Sequence, residues 1–420
     1  MTQDFAPDAL PMPPSVERVG EIFTLRWSDR SVEMIVERFD TDRHHNISAE
    51  ITVRILHAPE GEGHITRGRA GLLSTFRTLV DDADDFGGER NDRDDWRVMF
   101  KQMSNAVVER YRMGEPLVNL AEMEPEGEKP FVLEPFIFEG APSVIYGRGG
   151  VGKSLFCLYL AVLLQTGTSE NRLTSVKQSV VYLDYEADKE ESKYRADMIA
   201  RGMNISPNDV AIHYRHCDVP LASEIDVISK RLLEVDATCL VIDSAIPACG
   251  DALDPKVAGD FFRALRTLNT GDRKVATLII GHTTKAQDNS GGPFGSVQWR
   301  NQPRTVWEFK ANQHPSQDTI DVQLVHQKVN MGKLLAPVGF SIQWGAGSVE
   351  FESLDARRHS AFSADHPAGD RIEVLLEDNG SMSVEMIVDE LRLQADDVTD
   401  TLARDTRFVA HNEKWELTAI

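Results

Sequence analysis

Gly147-Arg148-Gly149-Gly150-Val151-Gly152-Lys153-Ser154 reads G-x-x-x-x-G-K-S, and the residues on either side decide what that stretch is. The apolar run Ser143-Val144-Ile145-Tyr146 before it has the character of a buried strand. After it, Leu155-Phe156-Cys157-Leu158-Tyr159-Leu160-Ala161-Val162-Leu163-Leu164 is long and apolar enough for a buried helix. Strand, glycine-rich loop and helix in that order are the context a phosphate-binding loop requires. Its glycines let successive N–H groups turn inward on phosphate oxygens, and the helix N-terminus adds the positive end of its dipole. The nucleotide is therefore expected against Gly147, Arg148, Gly149, Gly150, Val151, Gly152, Lys153, Ser154 and Leu155. Lys153 is expected at the β and γ phosphates and the Ser154 hydroxyl on Mg²⁺, which makes ATP and Mg²⁺ the expected ligands.

Working outward, 420 residues point to about three domains. No run approaches the roughly 18 apolar residues of a membrane span, and the N-terminus has neither a basic flank nor an apolar stretch for export, so a cytoplasmic protein without a membrane partner is expected. Cys157, Cys217, Cys239 and Cys249 share no metal-ligand spacing and read as buried thiols. The net charge is −22, from 67 acidic and 45 basic side chains. Affinity for nucleic acid comes largely from neutralising phosphates, so a chain this acidic can grip it only locally. A basic protein partner suits the charge equally well.

The pattern changes several times along the chain. Residues 1–16, rich in proline and acid, read as a disordered tail. Residues 17–120 read as a small α+β domain: strands such as Ile22–Trp27 and Ile51–Leu56 alternate, a helical period covers Ala70–Val80, and a second helix spans Trp96–Met113. The acids Asp81, Asp82, Asp84 and Asp85 between them read as a solvated loop. A linker at 121–135 leads to a domain at 136–353. Its apolar strands Val180–Leu183, Cys239–Ile242 and Ala276–Ile280 alternate with helices, as in a parallel sheet, and four antiparallel strands follow between Arg304 and Phe351. Beyond a linker at 354–368, residues 369–420 show three short helices and a hairpin, a winged-helix-like pattern.

A phosphate-binding loop that hydrolyses needs an acid for Mg²⁺, a group to orient the attacking water and a cation for the charge that develops. Asp243 ends the strand Cys239–Ile242 and so emerges at the sheet edge where the loop lies, the position of a Mg²⁺ ligand. Glu186 follows the strand Val180–Leu183 and is placed to polarise water, with Asp184, Asp188 and Glu190 as alternatives close by.

Taken together, Tyr182-Leu183-Asp184-Tyr185-Glu186, Val241-Ile242-Asp243-Ser244 and Gly281-His282-Thr283-Thr284-Lys285, in that order after the glycine-rich loop, resemble the RecA-type ATPases, in the branch of the plasmid helicase RepA. The resemblance covers roughly residues 130–352. It implies a RecA-like core in an α/β fold, Glu186 as catalytic carboxylate and His282 as sensor of the γ-phosphate or of DNA. It extends through Gly295–Arg304 and His326–Gly332, and implies Arg304 as an arginine finger given to a neighbouring subunit, with Lys328 as companion cation and Arg300 as rival finger. The family's channel loop would fall at Thr284–Phe294, where Lys285 is the one cation and no aromatic precedes Phe294.

The resemblance thus implies a homo-oligomer, such as a hexameric ring, hydrolysing ATP in replication, recombination or helicase work on single-stranded DNA. Two other readings stay open. The segment Ala395–Asp405 would be the DNA-reading helix of a winged helix, yet it carries four aspartates to one arginine and would repel phosphates. That favours a nucleotide-dependent switch or scaffold holding protein partners through its terminal domains. A kinase is disfavoured by the meander and by the lack of a lid segment.

Overall fold

The computed structural model describes residues 10–19, 21–56, 63–86, 91–113, 117–123, 127, 130–269, 273–283, 292–313, 316–330 and 332–418. The chain divides into two compact units, Met1–Glu128 with Glu224–Arg231 and Thr267–Asp272, and Lys129–Ser223 with Leu232–Arg266 and Arg273–Ile420.

The N-terminal unit is an antiparallel meander of β1 (Ser15–Val19), β2 (Ile22–Trp27), β3 (Val32–Thr41), β4 (Ile47–Ile55) and β5 (His64–Gly71), followed by α1 (Arg77–Phe86) and α2 (Arg93–Met113). Alternation puts Phe23, Leu25 and Trp27 on the same buried face as Ala49, Ile51 and Val53, against Leu79, Trp96 and Phe100 of the helices. On the opposite face, opposite charges stand across neighbouring strands: Arg26 on Glu33 at 2.7 Å, Arg54 on Glu33 and Arg67 on Glu50.

Three expectations are corrected here. The helix expected from Ala70 begins only at Arg77, because Gly71 still belongs to β5 and Phe76 takes a left-handed φ of 52° that no helix continues through. Asp81, Asp82, Asp84 and Asp85 are not a loop but the second half of α1, where Asp82 accepts from the Thr66 hydroxyl at 3.1 Å. The tail expected through residue 16 is docked from residue 11 onward: the Met12 amide donates to Asp29 at 3.0 Å, the Pro11 carbonyl accepts from Gln102 at 2.9 Å, and Ser15 opens β1. Residues 1–9 lie outside the described residues.

The second unit starts with β6 (Phe131–Glu134), β7 (Ile137–Phe138), β8 (Pro142–Gly147) and α3 (Lys153–Thr166). The chain continues through β9 (Thr174–Ser175), β10 (Val180–Asp184), α4 (Lys189–Gly202), β11 (His213–His216), α5 (Ile225–Glu234), whose residues up to Arg231 fall in the first unit, β12 (Cys239–Asp243), α6 (Ala245–Cys249), α7 (Pro255–Thr267) and β13 (Ala276–His282). α8 (Gln298–Asn301) precedes the meander of β14 (Thr305–Gln313), β15 (Thr319–Val329), β16 (Val338–Trp344) and β17 (Val349–Leu354). One nine-stranded sheet takes the order β11-β10-β12-β13-β8-β14-β15-β16-β17, parallel as far as β14 and antiparallel beyond, while β6, β7 and β9 form a small separate sheet. The expected parallel sheet extended by an antiparallel meander is thus present.

β13 is inserted between β12 and the strand that carries the glycine-rich loop. Two interstrand steps, about 9–10 Å, therefore separate Asp243 from that loop's strand, which leaves room for a phosphate tail. α3 is apolar on all sides because it is covered on all sides: Phe156 through Leu164 are each at most 4% exposed. It stops at Gly167, whose left-handed φ of 75° lets its N–H bond the Leu163 carbonyl.

The segment expected as a linker at 354–368 packs on the meander. Asp365 accepts from Lys310 at 2.7 Å and Gln323 at 2.8 Å, and Phe362 is buried. Beyond it, α9 (Ala368–Asn379), α10 (Val384–Leu391), α11 (Ala395–Arg404) and the hairpin of β18 (Phe408–His411) and β19 (Lys414–Leu417) close over a small core of Ile372, Ile387, Val398, Leu402 and Phe408. All four cysteines are free and buried, as their neighbourhoods suggested. Among the described residues no helix is long and apolar enough to cross a membrane.

Candidate functional site

The C-terminal ends of β8, β10, β12 and β13 bring the sequence-predicted residues of the loop and of the following strands around one cavity of about 580 Å³, a volume suited to a small-molecule ligand. Lys153, Ser154, Glu186, Asp243 and His282 line it together with Gly150, Gly152 and Leu155. In the loop itself, Gly150 and Gly152 take left-handed φ of 74° and 92°. A Cβ on Gly149, Gly150 or Gly152 would meet nothing within 4 Å, so the loop's concave side is open. Gly147 is glycine for a different reason: its Cβ would stand 2.3 Å from the Phe309 carbonyl oxygen of β14. Arg148 is exposed, and its carbonyl accepts from the Lys153 ammonium at 2.5 Å. Lys153 is only 4% exposed, and burial lowers its pKa against the opposing pull of Cys157, Asp243 and Glu186.

Asp243 is 5% exposed. Its Oδ2 accepts from the buried Tyr182 hydroxyl at 2.7 Å, whereas its Oδ1 is buried with no hydrogen-bond partner. Burial raises its carboxyl above the ordinary range, and the hydroxyls of Tyr182 and Ser154 act in the opposite sense. A buried carboxylate oxygen without a donor, beside a serine hydroxyl at the mouth of a phosphate-binding loop, is an oxygen donor set that fits Mg²⁺.

Between the four acids after β10, geometry discriminates. Asp184 is 1% exposed and engages both its oxygens: Oδ1 accepts from the amides of Glu186 and Ala187 at 3.0 and 2.8 Å, and Oδ2 from the Ser192 hydroxyl at 2.9 Å. It holds the turn that presents Glu186. Asp188 caps α4 by accepting from the Glu191 amide at 2.8 Å, and Glu190 is exposed on that helix. Glu186 alone of the four reaches the cavity, where its Oε1 accepts from the Ser244 hydroxyl and lies 3.5 Å from His282 Nε2. The Asp243 carbonyl in turn accepts from the Tyr185 amide at 2.6 Å, tying the Glu186 turn to the Asp243 strand.

Arg304 and Lys328 are not brought to this cavity. The Arg304 amide donates to Pro142, at the start of β8, so it stands five residues and roughly 16 Å down the sheet from Gly147. Lys328 donates to the carbonyls of Asn301 and Pro303 just past α8, and burial first, then Arg304 and Arg300, lower its pKa. The three cations thus share the opposite edge of the sheet. Most of the expected DNA loop, residues 284–291 with Lys285, lies outside the described residues.

Sequence reasoning missed Tyr182 and Ser244 as partners of the two carboxylates. Tyr182 carries a faint signal, a polar tip in an otherwise apolar buried strand. It also missed the cavity's outer wall, where Tyr194 and Met198 of α4 meet Gln313, Ile320 and Trp344 of the meander. These last come from strand ends distant in sequence, and no local pattern marks them.

A family model described as an AAA domain matches residues 116–288. No curated protein matches the chain. Among solved structures it is similar to the crystal structure of the RadB recombinase, at 13% identity over 51% of this chain and 91% of that chain, with a TM-score of 0.38. The matched region contains the glycine-rich loop together with Glu186, Asp243 and His282.

Proposed function

We propose that the chain hydrolyses ATP as a homo-oligomer and couples turnover to single-stranded DNA. One observation carries the hydrolytic part: Glu186 is held between Ser244 and His282 at the wall of the cavity above the P-loop. In this reading the loop amides and Lys153 bind the triphosphate. Glu186 orients the water and takes up its proton, while Ser244 and His282 fix the carboxylate. Ser154 and Asp243 would hold Mg²⁺, which neutralises phosphate charge when bound. Tyr194 and Trp344 supply aromatic surface for the base on the outer wall.

Arg304 is proposed as the cation given to a neighbouring copy's γ-phosphate, since its own P-loop is a strand's length away. Lys328 then positions the α8 turn that precedes Arg304, and Arg300 is the alternative finger. Mixing tests this: Glu186→Gln and Arg304→Ala subunits, each inactive alone, should recover part of their ATPase activity together. No recovery, with activity per subunit unchanged by dilution to monomers, would refute a shared site.

A second reading, a nucleotide-dependent switch holding protein partners, is favoured by α11. If the terminal domain is a winged helix, its reading helix exposes Asp396, Asp397 and Asp400 against one cation, Arg404, which already pairs with Asp400 at 3.0 Å. ATPase assays with and without single-stranded DNA at low salt separate the two readings. Severalfold stimulation supports the DNA motor, and none supports the switch.

A further inference from the structure

A second cavity, of about 560 Å³, lies wholly within the N-terminal unit, between α2 and the turn that leads into α1. Its charge is opposite to that of the chain. Arg77, Arg93, Arg97 and Lys101 line it against a single acid, Asp81. Three of the cations fall at i, i+4 and i+8 on α2, so they form one row about 12 Å long. Phe76 and Val80 contribute an apolar floor, and Leu73 at the rim is 62% exposed.

Two of the three guanidinium groups here already hold carboxylates, Arg93 that of Asp81 and Arg97 that of Asp94 at 2.9 Å. Arg77 and Lys101 form no ion pair among the described residues. The groove therefore has cationic capacity to spare and an apolar seat beside it.

We propose that this groove docks an acidic peptide segment of a partner protein, bound as a helix. Carboxylates four residues apart on the segment meet the Arg97–Lys101 row, and one aliphatic side chain lies beside Leu73 over Phe76. Chemistry favours this occupant over a nucleic-acid strand. Strand binding combines cations with exposed rings, and Phe76 is only 7% exposed. A polyanion extending beyond a 12 Å row would meet a chain of net charge −22, whereas a short peptide brings a few charges to one place. An aliphatic seat also has no use in holding phosphate.

The test uses the full-length protein and fluorescence anisotropy with a designed 14-residue helical peptide bearing glutamates four apart and one leucine. Binding is expected, weakening at least tenfold in R97E/K101E, severalfold in Lys101→Ala, and as salt rises. The same peptide with glutamine for glutamate should fail to bind. Equal binding of the glutamine peptide, or no effect of either variant, would overturn the proposal. Displacement of the peptide by a thymidine oligonucleotide that binds more tightly would overturn it in favour of nucleic acid. The groove and the ATPase site share no residue, so Glu186→Gln should bind the peptide as wild type does.

Discussion

Replacing Tyr182 with phenylalanine keeps the ring that packs in β10 and deletes only the hydroxyl. That hydroxyl donates to Asp243 Oδ2 at 2.7 Å, and both side chains are buried, at 3% and 5% exposed. A hydrogen bond to a charged group contributes about 1.5–3 kcal/mol, and here the deletion leaves a second carboxylate oxygen without its donor. Converted at about 1.4 kcal/mol per decade, that is roughly a 10- to 150-fold effect. It agrees with the 10- to 100-fold, on the order of magnitude, that outer partners of metal ligands usually contribute to metal affinity. The assay is a Mg²⁺ titration of ATP turnover beside binding of a fluorescent ATP analogue in EDTA. Half-saturation by Mg²⁺ should shift upward by tenfold or more, while binding without Mg²⁺ changes by less than about twofold. An unshifted Mg²⁺ titration would refute the argument. So would equal losses with and without Mg²⁺, because the phenol would then serve packing rather than the carboxylate.

Other outcomes follow from the same geometry. Glu186→Gln should bind ATP normally and lose at least about 100-fold in turnover, and Ser244→Ala should lose less, in single-turnover measurements; normal turnover by Glu186→Gln would move the catalytic carboxylate elsewhere. Gly147→Ala should lower the melting temperature, because its Cβ would stand 2.3 Å from a backbone oxygen, whereas Gly149→Ala, with nothing within 4 Å, should melt as wild type and bind ATP more weakly. His326 is held neutral: Nδ1 accepts from the Leu335 amide at 3.0 Å, the ring stacks on Trp307, and burial lowers its pKa to about 4. Since the unfolded chain takes up this proton near pH 6.5, stability should fall as pH drops from 6.5 towards 4, by about 3 kcal/mol in all, and His326→Gln should flatten that part of the pH-melting profile.

The core was legible because its strands are buried on both faces and read as unbroken apolar runs. Val180–Leu183, Cys239–Ile242 and Ala276–Ile280 each became a strand of the central sheet. β5 was not legible: Arg67, Gly68 and Arg69 interrupt it, and its partner β4 across the sheet supplies what its own sequence lacks. Position along the chain could place Asp184 and Glu186 near the site but could not divide the work between them. That division depends on Ser192, eight residues on, and on Ser244, 58 residues away. The cavity's outer wall, built from α4 and the meander, was beyond any local pattern for the same reason.

β14 begins one residue after Arg304 and ends its run along β8 with Phe309 pressed on Gly147. It is a rod with one end under the chain's own nucleotide loop and the other beside the cations proposed for a neighbour. A strand hydrogen-bonded along both edges slides or tilts as a unit and does not stretch. If copies assemble as proposed, a displacement at one P-loop is relayed undiminished to the next copy's phosphates. Firing order around the assembly would then be written into the stiffness of a single strand.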